Sequence, residues 1–225
     1  MRVIVTCGPS YEPIDRVRRL TNFSTGELGL LLSATLTRGG HEVICLKGEG
    51  ATSPLDAGGA KVVPFSTNEA LLREFGTLSA AGGIGAVFHA AALCDYRVKA
   101  AHGPDGNPLT AAKLRTRDGD LTLSLEPAAK LLPQLRPLFP TARIVGWKYE
   151  LDGTRDDAIA LARRQLDACR SDASIVNGAA WGEGFGFVEP GREPIPIADK
   201  PALCVFLAAW LATFRREGGC SPMVR

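Results

Sequence analysis

Residues 2–47, RVIVTCGPSYEPIDRVRRLTNFSTGELGLLLSATLTRGGHEVICLK, decide the fold. The β-branched apolar run at 2–6 ends in a Gly-Pro turn, which is typical of a buried strand. A helical pattern follows at 27–38 and stops at a pair of glycines. A second apolar strand occupies 42–47. A strand, a helix and a second strand in this order predict a parallel βαβ unit.

The same alternation continues through most of the chain. Further strands are predicted at 61–65, 86–91, 143–147 and 173–177, and further helices at 68–75, 154–170 and 200–216. Strands that are apolar almost throughout fit a sheet covered on both faces. The expected fold class is therefore α/β, a Rossmann-like three-layer sandwich with a mostly parallel sheet. We expect one domain over residues 1–225.

The middle of the chain departs from this alternation. Residues 96–107 are polar and rich in Gly and Pro, whereas residues 121–125 alternate apolar and polar side chains. The short run 113–115 is predicted to pair with 121–125 through a turn at 117–119. We expect a β-hairpin or flap over about 96–126, as an extension of the domain. A loop or a second hairpin is expected at 182–192.

Composition excludes several classes of protein. Hydrophobic residues make up 45% and the net charge is +2, without a clustered basic face, so a nucleic-acid partner is not expected. The six cysteines are scattered singly, which argues against zinc and suits a reducing cytoplasm. The N-terminal apolar run is too short for a signal peptide, and no apolar stretch is long enough to span a membrane. We expect a cytoplasmic protein without a membrane partner.

The carboxyl ends of the predicted strands are where ligands bind in open α/β sheets. Four candidate segments follow such ends: residues 8–26, 90–95 and 146–150, and Asn177. The first is neither a P-loop nor a G-x-G-x-x-G motif. Its small residues and hydroxyls nevertheless precede a helix N-terminus, which favours an anion at 24–26. The alternative is that Ser24 only caps the helix, but a connection of this length without structure is usually functional.

The first of these segments also carries a family resemblance. Gly8-Pro9-Ser10-x-Glu12-Pro13-Ile14-Asp15, Val17-Arg18 and Asn22-x-Ser24-Thr25-Gly26 resemble the signature of phosphopantothenate–cysteine ligases. The similarity continues in order through HAAALCDY at 89–96, KLR at 113–115, VGWKYE at 145–150 and ASIVN at 173–177. It covers most of the chain and is weakest after Asn177.

The resemblance implies a Rossmann-like ligase that acts on small molecules. The carboxylate of phosphopantothenate would attack the α-phosphate of CTP or ATP, with Mg2+, and cysteine would then displace the nucleotide to form an amide. The resemblance also implies a homodimer, with the flap crossing between subunits. Many bacterial members are fused to a flavin-binding decarboxylase domain, so this chain is expected to be a monofunctional form.

Three residues match positions with catalytic roles in the family. Asn22 matches the asparagine that handles the acyl intermediate; the alternative is an asparagine that forms a turn. Lys113 matches the lysine of the flap that covers the nucleotide; the alternative is an ordinary surface lysine. Arg18 matches an arginine that would hold an anionic substrate group; the alternative is a solvated loop charge.

The nucleotide-binding residues expected from the loops and the resemblance are Gly8, Ser10, Ser24, Thr25, Gly26, Ala91, Asp95 and Lys148. Asp95 would bind the metal, the ribose or a substrate group, or else act as a turn cap. No metal ligands are assigned. Glu27 stands where many bacterial members have lysine, which removes a cation from the expected phosphate site. The separation between Asp95 and Lys113 is also longer than expected.

Two other functions remain open. The first alternative is a nucleotide-binding domain that has lost ligase activity or that acts on another acid and amine. Glu27 and the long segment after Asp95 favour this alternative. The second alternative is an NAD(P)-dependent oxidoreductase of the short-chain type. It is disfavoured because no glycine fingerprint follows the first strand and no Tyr-x-x-x-Lys pair is present.

Overall fold

The computed structural model describes residues 1–109, 112–115 and 119–217. The strands are β1 (Arg2–Cys7), β2 (Tyr11–Pro13), β3 (Arg19–Thr21), β4 (Glu42–Gly48), β5 (Lys61–Phe65), β6 (Ile84–His89), β7 (Tyr96–His102), β8 (Thr122–Pro127), β9 (Arg143–Tyr149), β10 (Ala173–Asn177), β11 (Phe185–Val188) and β12 (Ile195–Ile197). The helices are α1 (Glu27–Arg38), α2 (Asn68–Ala81), α3 (Leu132–Leu138), α4 (Arg155–Cys169) and α5 (Lys200–Glu217).

Eight strands form one sheet in the order β12-β11-β10-β9-β6-β1-β4-β5. The six strands from β10 to β5 are parallel, and β11 and β12 extend the sheet in antiparallel orientation. β1 pairs with β4 on one side and with β6 on the other, so the strand order changes direction at β1. Such a switch point opens a crevice beyond the strand ends.

Helices cover both faces of the sheet. On one face, α1 and α5 pack together over the apolar side chains of β1, β6, β9 and β10. On the other face, α2 and α3 cover β1, β4, β6 and β9. α4 adjoins α3 and packs on β10 and β11 through Ala158, Ala162 and Leu166. The three-layer α/β architecture with a mostly parallel sheet confirms the predicted fold class.

The hairpin in the middle of the chain has a different partner from the one predicted. β8 pairs with β7, which lies in the polar, Gly- and Pro-rich segment for which no strand was predicted, and residues 113–115 form no strand. Most side chains of this two-stranded sheet are exposed or partly exposed, so the charged residues of β7 are compatible with a strand. Arg97 lies opposite Glu126, with the guanidinium and carboxylate atoms 2.6 Å apart. The predicted turn residues 117 and 118 lie outside the described residues.

Several smaller differences have local causes. The loop after β1, expected to lack regular structure, contains the hairpin of β2 and β3. Helix α3 was not predicted, because it is only seven residues long and contains Pro133 and Pro137. α2 continues past Gly76 to Ala81, beyond its predicted end. Region 182–192 was expected to form a loop or a hairpin. Its strand β11 forms a hairpin with β12, and both strands join the main sheet.

Within the described ranges, no helix combines the length and apolarity needed to cross a membrane.

Candidate functional site

A cavity of about 910 Å³ lies at the carboxyl ends of β1, β6, β9 and β10. It is lined by parts of all four segments that the sequence placed at such ends: Gly8 with residues 22–29, residues 90–93 with Asp95, residues 147–149, and Asn177. Its volume is in the range of small-molecule sites in proteins. The fold therefore gathers separate loops around one space large enough for a nucleotide and a second substrate.

The N-terminus of α1 forms one wall of this cavity. Gly26 is the N-cap, with a left-handed backbone (φ of 78°) and no side-chain cap of its own, while the hydroxyl of Thr25 accepts from the backbone nitrogen of Glu27 at 3.3 Å. A β-carbon at Gly26 would lie 3.3 Å from the backbone nitrogen of Gly8, so the helix start and the loop after β1 are closely packed. Ser24 therefore does not cap this helix, although Ser24 and Thr25 line the cavity. The remaining N–H groups of the first turn and the positive end of the helix dipole suit an anion.

The loop after β6 forms the opposite wall, and β1 holds it in place. The hydroxyl of Thr6 shares a hydrogen bond with Nδ1 of His89 (2.9 Å) and accepts from the backbone nitrogen of Ala91 (3.0 Å). Burial lowers the pKa of His89 to about 4, so its ring is neutral and can accept this hydrogen bond. Ala92 donates its backbone N–H to the carbonyl of Gly8 at 3.0 Å. The two glycine- and alanine-rich loops are thus fixed relative to each other.

Ser10 belongs to this framework and not to the lining of the cavity. It is fully buried, and its hydroxyl accepts from the backbone nitrogen of Cys94 at 2.8 Å. Its own backbone nitrogen donates to the carbonyl of Ala92. Ser10 was predicted to contact the nucleotide, but in this structure it does not line the main cavity, and its side chain joins the loops after β1 and β6.

Asn22 lies at the edge of the cavity with its amide oriented. Its Nδ2 donates to the carbonyl of Leu93 at 2.8 Å. That bond uses one of the two N–H groups and leaves Oδ1 and the second N–H for a ligand. The neighbouring Phe23 also lines the cavity, and its ring is fully exposed.

Arg18 and Lys113 are not brought to this cavity within one chain. The guanidinium of Arg18 pairs with the carboxylate of Asp15 at 2.9 Å and donates to the carbonyl of Leu114 at 2.8 Å. Asp15 also accepts from the backbone nitrogens of Val17 and Arg18, and these hydrogen bonds, led by that of Val17, lower the pKa of Asp15. Arg18 instead lines a separate cavity of about 250 Å³. Lys113 is exposed next to Leu114 and lines neither cavity.

Three lysines line the main cavity, and each is paired with a carboxylate. Lys148 lies 2.8 Å from Glu150, Lys130 pairs with Asp95, and Lys200 pairs with Glu27. Asp95 and Lys148 were expected here from the sequence, whereas Lys130 and Lys200 were missed. One feature of the sequence could have identified Lys200. It stands at the start of a predicted helix, where the helix dipole disfavours a cation, so a role outside that helix would explain it.

Metal-binding residues are sparse in this region. Across the described ranges, no three His, Cys, Asp or Glu side chains are grouped closely enough to hold a metal ion. Two carboxylates, those of Glu27 and Asp95, line the cavity. Of the two, Asp95 is compatible with Mg2+, which proteins often hold through one or two carboxylates together with substrate phosphates, whereas Glu27 is paired with Lys200.

Comparison with known proteins places the chain in a family. The model of the DNA/pantothenate metabolism flavoprotein C-terminal domain matches residues 1–192. The chain belongs to this family. Membership of the DNA/pantothenate metabolism flavoprotein C-terminal domain family confirms the relationship that the motifs in the loop after β1 indicated, and it weighs against the oxidoreductase alternative.

Other members of this flavoprotein C-terminal domain family give the extent of the similarity. The chain is 28% identical over 229 residues to the coenzyme A biosynthesis bifunctional protein CoaBC of Bacillus subtilis, covering 96% of this chain and 52% of that protein. It spans about half the length of the curated relatives it matches.

Two solved structures share the fold. The DNA/pantothenate metabolism flavoprotein of Streptococcus pneumoniae superposes with a TM-score of 0.83 at 24% identity, covering 95% of this chain and 99% of that one. A Cab2 mutant in complex with phosphopantothenate-cysteine superposes with a TM-score of 0.71 at 17% identity, covering 96% of this chain and 88% of that one. The two superpositions establish the common fold.

Proposed function

We propose that this chain is a phosphopantothenate–cysteine ligase of coenzyme A biosynthesis. The observation that carries the proposal is the cavity at the N-terminus of α1, where the motif-bearing segments meet three lysines. The Cab2 structure with phosphopantothenate-cysteine supports it, because a protein of the same fold binds the product of this reaction.

The first step would be nucleotidyl transfer. A carboxylate oxygen of phosphopantothenate attacks the α-phosphorus of the nucleotide, and the bond to pyrophosphate breaks, giving an acyl-nucleotidylate. Charge stabilisation and positioning dominate such transfers. The first turn of α1 after Gly26 supplies backbone donors for phosphate oxygens, and Lys148 supplies a positive charge at the end of β9.

The second step would be amide formation. The amine of cysteine attacks the acyl carbon and loses a proton, and the bond to the nucleoside monophosphate breaks. Asn22 is suited to this step because the carbonyl of Leu93 fixes its amide. Its second N–H can donate to the acyl oxygen as charge develops there, and its Oδ1 can accept from the attacking amine.

The co-substrate would be CTP or ATP, accompanied by Mg2+. When bound, Mg2+ neutralises charge on the phosphates, and most of its ligands would be phosphate and water oxygens. Asp95 is the carboxylate of the loop after β6 that would contact the metal or the ribose, after its lysine partner Lys130 is displaced. Gly8 and Ala91 would contact the nucleotide through backbone atoms, where small residues permit a close approach.

A pyrophosphate-release assay tests the proposed function. The purified chain is given phosphopantothenate, cysteine and either CTP or ATP, and we expect release with at least one nucleotide only when phosphopantothenate is present. Unphosphorylated pantothenate and β-alanine serve as alternative acids. Release with another acid, or no release with any nucleotide, would contradict the ligase assignment and favour one of the other functions of this fold.

We further propose that the protein acts as a homodimer and that Arg18 and Lys113 serve the cavity of the second copy. The residue pair lies outside the cavity of its own chain. Residues 112–114 are tied to the loop after β1, since Leu114 donates to Asp15 and Arg16 donates to the carbonyl of Ala112. Exposed apolar side chains, Tyr96 at 56% and Leu125 at 44%, lie on the β7–β8 hairpin, where a second copy would cover them.

Lys113→Ala is expected to slow pyrophosphate release by about tenfold or more, the loss of one charge-assisted contact to the nucleotide. Lys61→Ala, an exposed lysine on β5, is the matched control and should be without effect. The Lys113→Ala and Asn22→Asp proteins are then mixed, dissociated and reassociated, and part of the activity should return. In a hybrid dimer, one cavity would combine the intact Asn22 of one copy with the intact Lys113 of the other. Unchanged kinetics of Lys113→Ala would refute its role, and no recovery in mixtures would place that role within one chain.

A further inference from the structure

Lys200 occupies a helix position that its own helix does not favour. It is the first residue of α5, where the positive end of the helix dipole repels a cation. The cap is provided by the preceding residue, because Asp199 accepts from the backbone nitrogen of Ala202 at 2.8 Å. The stability of α5 therefore does not explain a lysine at this position.

The amino group of Lys200 reaches the start of a second helix. It pairs with the carboxylate of Glu27, the first residue of α1, and both side chains line the main cavity. Packing of Leu203 and Leu207 with Leu32 in the apolar core holds the two helices together and fixes where they begin. The pair is partly exposed, with side-chain exposures of 42% and 39%, so its net stabilisation is small and exchange of partners costs little.

The pair also sets the charge at the proposed phosphate site. Glu27 places a carboxylate at the helix start, where it would repel a polyphosphate. Among the described lining residues, Lys130 is engaged by Asp95, and Lys148 is engaged by Glu150. Lys200 is the lysine that reaches the start of α1. Position 27 carries an acidic residue where a lysine would place a positive charge on α1. Lys200 thus supplies that positive charge from α5.

We propose that Lys200 binds the phosphate chain of the nucleotide, exchanging its pairing with Glu27 for the phosphate oxygens. Glu27 then holds the amino group at the helix start only while the site is empty, and it competes with the phosphate for that group. This inference rests on the proposed function, since it assigns the phosphate-binding residue of that same cavity. The expected consequence is that nucleotide binding depends on Lys200, whereas binding of cysteine does not.

A double-mutant cycle separates direct binding from neutralisation of Glu27. Lys200→Met should raise the nucleotide KM by about tenfold or more, as expected for loss of a charge-assisted hydrogen bond, and leave the cysteine KM within about twofold. Glu27→Gln should leave the nucleotide KM unchanged or lower it, because the lysine is freed. The combined variant should keep the high KM of Lys200→Met. A return of the combined variant to the wild-type KM would overturn direct binding.

Three further lysine variants serve as controls for Lys200→Met. Lys61→Met tests the loss of a lysine elsewhere, and a Lys200→Met effect no larger than that of Lys61→Met would overturn the inference. Should Lys200→Met fail to fold by thermal melting, Lys200→Arg retains the charge and should stay within about threefold of the wild-type nucleotide KM, whereas Lys200→Gln should not.

Calorimetric titration with CTP and with ATP distinguishes failure of this inference from failure of the proposed function. If the wild type releases no pyrophosphate but binds a nucleotide, the ligase assignment fails, and loss of that binding in Lys200→Met still supports Lys200 as the phosphate ligand. If Lys200→Met binds the nucleotide as the wild type does, the inference is overturned. No nucleotide binding by the wild type would overturn both.

Discussion

Asn22→Asp is expected to slow amide formation by about 100-fold or more, the effect typical of removing one donor to a developing oxyanion. Nucleotidyl transfer should be slowed by less than about tenfold. The structure gives the reason. Nδ2 of Asn22 donates to the carbonyl of Leu93, and the second N–H points from a fixed amide. A carboxylate has no N–H to give to either acceptor, and it would repel the carbonyl that now orients it.

The measurement separates the two half-reactions. Exchange of labelled pyrophosphate into the nucleotide reports acyl-nucleotidylate formation without cysteine, and single-turnover appearance of the amide reports the second step. Asn22→Ala is the matched variant, since it removes the donor without adding a charge, and it should show the same selective loss. If both half-reactions survive in Asn22→Asp, Asn22 serves the turn structure alone.

The sequence was sufficient for the sheet and for the position of the site because both depend on local patterns. The apolar run at β1 and the periodicity of α1 lie within the first forty residues, and each strand end is visible as a change from apolar to polar residues. Once parallel strands are assumed, their carboxyl ends must meet at one edge. Gly8, Asp95, Lys148 and Asn177 consequently line one cavity, as the strand assignments predicted.

The contacts missed from the sequence depend on packing between distant elements. β7 pairs with β8 across a long insertion, and its partner was not identifiable because charged side chains on an exposed ribbon resemble a loop. Lys130 lies in a short connection before α3, and Lys200 reaches the cavity only because α5 packs on α1. Such positions follow from tertiary contacts and have no signature in local periodicity.

Arg18 and Lys113 belong to the motifs but lie outside the main cavity. The family resemblance assigned roles to Arg18 and Lys113, yet within one chain neither lines the main cavity, and Arg18 lines the smaller one. A motif records which residues act together in the assembled protein, and it does not record whether they come from one chain. The mixing experiment with Lys113→Ala is therefore a test of assembly as well as of chemistry.

Gly29→Ala is expected to lower the free energy of unfolding by about 2 kcal/mol, since overpacking costs about 1–3 kcal/mol and alanine returns up to about 1 kcal/mol of helix propensity. A β-carbon at Gly29 would lie 2.2 Å from Cβ of Cys7 and 3.2 Å from the carbonyl oxygen of Thr6. Neither atom can rotate away, because both are fixed by the backbone of β1. The helix must instead move off the strand.

The matched control is Gly76→Ala, also in a helix but with nothing within 4 Å of the added carbon. It should stabilise the protein by about 0.5–1 kcal/mol, because only the propensity gain remains. Denaturant unfolding of both variants measures the difference directly, and equal stabilities would contradict close packing of α1 on β1. The same displacement would separate Gly26 from Gly8, so Gly29→Ala should also weaken nucleotide binding in the fraction that stays folded. Stability and binding are then lost together, because the helix that closes the core also carries the phosphate site.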